Sequence, residues 1–74
     1  MVHHTYNVSK REDGWAVEHR GKLLAIHENQ DQAQAHVDRL ARLTQASGHN
    51  AQVVVEGEHG ELQSNETYQR LKNR

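Results

Sequence analysis

The sequence predicts an α+β domain of order β-β-β-α-β-β, in which an antiparallel meander and a C-terminal hairpin share one amphipathic helix packed on one face of the sheet. Three observations predict it. Between Thr5 and Glu28, short runs of alternating apolar and polar residues are separated by turn residues, the period-2 pattern of half-buried strands. From Asp31 to Ala46 the apolar positions recur instead at three- and four-residue steps, which is the helical period. The β-branched run Val53-Val54-Val55 then leads into a turn bounded by Gly57 and Gly60. A chain of 74 residues has room for one domain and one core layer.

The first strand is read over Thr5 to Lys10, with Tyr6 and Val8 on one face and Thr5, Asn7 and Ser9 on the other. Arg11-Glu12-Asp13-Gly14 forms the loop, which sets Val8 opposite Val17 and Tyr6 opposite His19. The second strand, Trp15 to Arg20, turns at Gly21-Lys22 in an expected type II′ geometry with glycine at the first central position. That turn pairs Arg20 with Leu23, His19 with Leu24, Val17 with Ile26 and Trp15 with Glu28. Trp15, Val17, Leu24 and Ile26 then share the inner face, where Trp15 is expected to anchor the helix.

Asn29 with Gln32 three positions on resembles a capping box, so a helix is expected to start there. Ala33, Val37, Leu40, Ala41 and Thr44 form its apolar stripe, His36 and Leu43 widen it, and Gly48 is a natural stop. The outer helix face carries Gln34, Asp38, Arg42 and Gln45, ordinary solvated groups. Beyond it, Ala51 to Glu56 and Glu61 to Tyr68 are paired by a turn centred on Glu58-His59, which sets Val55 opposite Leu62 inside and Glu56 opposite Glu61 outside. The expected core is therefore Tyr6, Val8, Trp15, Val17, Leu24, Ile26, Val53, Val55 and Leu62. Ordered structure is expected over about residues 5–68, with a polar, basic, frayed tail at 69–74. The alternation leaves open which outer strand of the meander Val53 to Val55 joins.

Gly14-Trp15-Ala16-Val17, His27-Glu28, Gln32-Ala33 early in the helix, Val53-Val54-Val55, the two glycines of the last turn and Thr67-Tyr68 resemble one small bacterial family, domain of unknown function 2188. The resemblance runs from about Tyr6 to Tyr68. It implies a fold and a bacterial or phage origin, and it implies no activity.

Composition narrows function further. The chain contains no cysteine, which removes disulfides and thiolate chemistry and fits the reducing cytoplasm, the expected location. No apolar run approaches a membrane span or the core of a signal peptide. Nine Lys and Arg against ten Asp and Glu provide no global field for nucleic acid.

Seven histidines raise the question of metal. His3 and His4, being adjacent, point to opposite sides of a strand, and the expected register puts His19 and His27 on opposite faces. No HExxH pattern is present, so no metal or other cofactor is expected. Ser9, Ser47 and Ser64 lack a glycine elbow, and the carboxylates of Glu56 and Glu61, though expected to meet across the hairpin, would lie on an open face. An enzyme is not expected.

Two binding roles stand against each other. The first is a non-enzymatic accessory or adaptor acting through protein contacts, with Ala16, Leu23, Ala25 and Val54 as a mildly apolar outward strip and a homodimer as one candidate assembly. The alternative is a weak nucleic-acid-binding β-sheet module using Lys10, Arg11, Arg20 and Lys22, with Glu12, Asp13 and Glu18 interleaved among them.

Overall fold

The computed structural model describes residues 3–69, and its elements run β1 (His3–Arg11), β2 (Gly14–His19), β3 (Lys22–His27), α1 (Gln30–Ala46), β4 (Asn50–Glu56) and β5 (Leu62–Tyr68). Of the expected tail, residues 70–74 lie outside those described. The five strands form one sheet of order β3-β2-β1-β4-β5, with β4 parallel to β1 and every other pair antiparallel. The meander thus grows outward from β1, and α1 carries the chain back across the sheet to lay β4 on the free side of β1.

The central strands follow their alternation. Val8 pairs with Val17 and Tyr6 with His19, as the first loop requires. On β4, Ala51, Val53 and Val55 point inward and pair with residues of β5 that share their face. These side chains, with Trp15, Ala33, Val37 and Ala41, form the core, and Leu40 and Tyr68 pack at its margin. Each fully buried valine contributes roughly 1.5 to 3 kcal/mol. Trp15 is buried, as expected.

Helix α1 begins at Asn29, whose side chain accepts the Gln32 amide at 2.9 Å. The cap satisfies one of the free amides of the first turn. At the other end Gly48 takes a φ of +87°, and its amide reaches the Gln45 carbonyl. The buried stripe is Ala33, Val37, Ala41 and Thr44. Leu43, expected to widen it, is 59% exposed: at 100° per residue it lies slightly beyond His36 on the flank of the helix, away from the buried stripe.

Three local registers differ from the alternation. Arg20 (φ +55°) and Gly21 (φ +77°) are the two central residues of the β2–β3 turn, so it is type I′ and not the expected type II′. The pairs become His19 with Lys22 and Glu18 with Leu23, and a bulge then admits Leu24 before Val17 meets Ala25, Ala16 meets Ile26 and Trp15 meets His27. Ala25 and His27 consequently take the inner face and Ile26 the outer one. Leu24 and Ile26, both expected in the core, are 43% and 38% exposed.

The last hairpin is corrected in the same way. Its turn is centred on Glu58-His59 as expected, with the Gly60 amide bonded to the Gly57 carbonyl at 3.1 Å. Gly60, at φ +79°, adds a left-handed residue, and a second irregularity at Gln63 follows. Glu56 therefore faces Leu62 on the outer side, and Val55 faces Ser64. Leu62 stands in solvent, and Tyr68 takes its place against the core.

Candidate functional site at the β3 edge

Five large apolar side chains are exposed among the described residues: Leu23, Leu24, Ile26, Leu43 and Leu62. Three of them lie on β3, which pairs with β2 on one side and, among the described residues, with no strand on the other. The fourth, Leu43, belongs to the flank of α1 that bonds to β3 through His36 and His27. Leu23 and Ile26 pair with Glu18 and Ala16 on the outer face, whereas α1 packs on the inner face, so the apolar edge consists of the three β3 side chains.

Apart from the buried Ala16 and the half-buried Val54, the rest of the outer face is polar. Asn7, Ser9 and Gln52 lie along its middle, Arg11 pairs with Glu18, and Gln52 bonds to Asn65 at 2.8 Å. The opposite edge strand, β5, exposes Leu62 and otherwise mostly polar groups. The two sheet edges therefore differ in kind.

The expected outward strip does not assemble. Leu23 is exposed and on the outer face, as read from the sequence. Ala16 shares that face but is fully buried between Ser9 and Ile26 on the neighbouring strands. Ala25 belongs to the inner face, and Val54 sits two strands beyond β2, between Asn7 and Asn65. Leu24 and Ile26 stand beside Leu23 in place of this strip. The one sequence signal for them is Arg20-Gly21, which in the I′ reading shifts β3 by a residue.

The basic residues form no common patch. Lys10 and Arg11 lie at the start of β2, whereas Arg20 and Lys22 lie at its end, about 13 Å away at the rise of an extended strand. Lys10 reaches over the Trp15 ring, Arg11 is paired with Glu18, and Arg20 donates to the His3 carbonyl at 3.4 Å. Glu56 and Glu61 do not meet: Glu61 accepts the His59 amide at 2.9 Å from within the loop, and backbone hydrogen bonds hold its carboxyl below the ordinary value.

The histidines are arranged differently from expectation at one point. His3 and His4 do point to opposite sides, His3 to Gln52 and His4 to His19. His19 and His27, however, share the inner face, because the register shift moved His27 opposite Trp15. His4 Nδ1 lies 2.9 Å from His19 Nε2, and the His19 ring stacks on Tyr6 with centroids 4.7 Å apart. Burial, with Arg20 adding to it, pushes the pKa of both His4 and His19 below the ordinary imidazole value. Among the described residues no three His, Cys, Asp or Glu side chains gather into a metal site. No helix among them is long and apolar enough to cross a membrane.

A family model described as "Uncharacterized protein conserved in bacteria (DUF2188)" matches residues 6–68. No curated protein and no solved structure matches the chain.

Proposed function

The chain belongs to that bacterial family, and on this premise we propose that it is a non-enzymatic accessory or adaptor domain whose β3 edge takes an extended segment of a partner protein as a sixth strand. The observation that carries the reading is the concentration of Leu23, Leu24 and Ile26 along β3, the edge that is apolar and, among the described residues, unpaired. Strand addition draws affinity from main-chain hydrogen bonds and selectivity from the side chains beside the edge. The bulge in β3 twists that edge and limits indiscriminate pairing, so side-chain fit chooses the partner. A second copy of the chain is one such partner, giving the homodimer. The proposed setting is the cytoplasm, on the absence of cysteine.

The nucleic-acid reading draws less support, because Lys10 and Arg11 are separated from Arg20 and Lys22 by the length of β2 and two of the four guanidinium or ammonium groups are engaged with Glu18 and Trp15. Capture from the native bacterial extract with the parent chain and with Leu23→Glu/Ile26→Glu tests the proposal, alongside a salt titration with duplex DNA. The expected result is a partner held independently of salt and lost in the double variant. Duplex binding with a steep salt slope, unchanged in the double variant, would replace it.

A further inference from the structure

The β3 edge has a second side whose chemistry differs from its apolar one. Lys22 and His27 pair with His19 and Trp15, so both belong to the inner face, the one that α1 covers. His27 also lines an open groove of about 490 Å³ between β3 and α1, together with Gln32, Ala35, His36 and Arg39. Among the described residues no carboxylate lines this groove or pairs with Lys22 or Arg39. The outer side of the edge is thus apolar and the inner side basic. We infer that the segment added at this edge is an amphipathic strand, apolar at the residues set beside Leu23 and Ile26 and acidic at those set into the groove.

It rests on strand addition at β3, where successive residues of the incoming strand point to opposite faces. One alternating segment therefore meets both chemistries. Arg39 is exposed and supplies a fixed charge with a planar fork of donors that matches a carboxylate. His27 Nε2 and His36 Nδ1 lie 3.0 Å apart, which uses one nitrogen of each ring. With both rings neutral, the second N–H of the pair sits on His36 when His27 donates and on His27 when His36 donates, so either tautomer leaves one donor for an anion. A lysine or arginine in the same place would be repelled by Arg39. The incoming strand encloses the contact between itself and α1, so salt screens it less than an exposed ion pair.

The test uses short synthetic peptides that alternate Val with Glu, with Gln or with Lys, titrated against the full chain by fluorescence anisotropy. The Val-Glu peptide is expected to bind roughly fivefold more tightly than Val-Gln, equivalent to ~1 kcal/mol, with Val-Lys weakest. Arg39→Gln removes that preference, and Leu23→Glu/Ile26→Glu abolishes binding of the uncharged peptide as well. Burial first, then His27 and Arg39, holds the His36 imidazole below its ordinary value in the free chain, and bound Val-Glu is expected to move its titration, read by NMR, to higher pH. Equal affinity for Val-Glu and Val-Gln, or a preference that survives Arg39→Gln, would overturn the acidic strand and leave strand addition standing. Absence of binding by all three peptides would instead remove strand addition itself, and the acidic strand with it.

Discussion

Strands β4 and β3 are similarly apolar in sequence, Ala51, Val53, Val54 and Val55 in one and Leu23, Leu24, Ala25 and Ile26 in the other, yet their fates are opposite. Strand β4 lies between β1 and β5, and three of its side chains are sealed under the helix. Strand β3 lies at the edge, carries a bulge, and leaves its three largest apolar residues substantially exposed. Apolar content alone therefore does not decide burial. A strand fixed from both sides has one register, and its alternation sorts side chains cleanly between faces. An edge strand is fixed from one side only, so a turn and a bulge can rotate its apolar residues outward.

That contrast can be broken most severely at its rigid half. Trp15→Ala removes the indole over which the inner face is built and is expected to cost roughly 3 to 5 kcal/mol, enough to unfold a domain of this size. A cooperative melt close to the parent would place Trp15 outside the core. Gly14 tests the seam between the halves: it adopts φ +141°, and a Cβ there would meet the His27 carbonyl and the Ile26 side chain. Gly14→Ala is expected to cost on the order of 1 to 3 kcal/mol from the backbone conformation alone, measured by denaturant midpoint, and an unchanged midpoint would refute the close approach.

Acid sharpens the comparison at the open end of β2. Burial holds the folded pKa values of His4 and His19 below the ordinary imidazole value. The folded state therefore binds fewer protons than the unfolded chain as pH falls below that value, so stability is full above it and declines below it until the folded values are passed. His19→Gln should flatten the decline of stability as pH falls below the ordinary imidazole value, and a profile identical to the parent would show that the His4–His19 pair has no such role. A smaller effect is expected at Arg20, the one non-glycine residue with positive φ among those described. Asparagine tolerates that conformation better, so Arg20→Asn should raise stability by up to about 1 kcal/mol, and a loss would contradict the type I′ turn.

The same contrast explains what the sequence made legible. Tyr6, Val8, Val17, Val53 and Val55 were all readable, because they alternate within central strands and the first loop has one consistent register. The Asn29 cap and the Gly48 stop were readable because their chemistry is local. Leu24, Ile26 and Leu62 were misplaced, each beside a residue that the pairing inserts at an edge: the bulge in β3, or the left-handed Gly60 and the irregularity at Gln63. Insertions of this kind follow from tertiary fit and leave no trace in period-2 alternation. Since the candidate site is made of the outward residues at such an edge, only Leu23 of its members was assigned correctly from sequence.

Strand β3 presents its leucines to solvent rather than to the core, and equilibrium unfolding of Leu23→Glu/Leu24→Glu tests that most directly. Both side chains are a little under half exposed in the free protein, so the double variant is expected to remain cooperatively folded within about 2 kcal/mol of the parent, part of the loss coming from the new carboxylate opposite Glu18. Loss of the folded state would place these leucines in the core and remove the apolar edge from which the proposed partner contact is drawn.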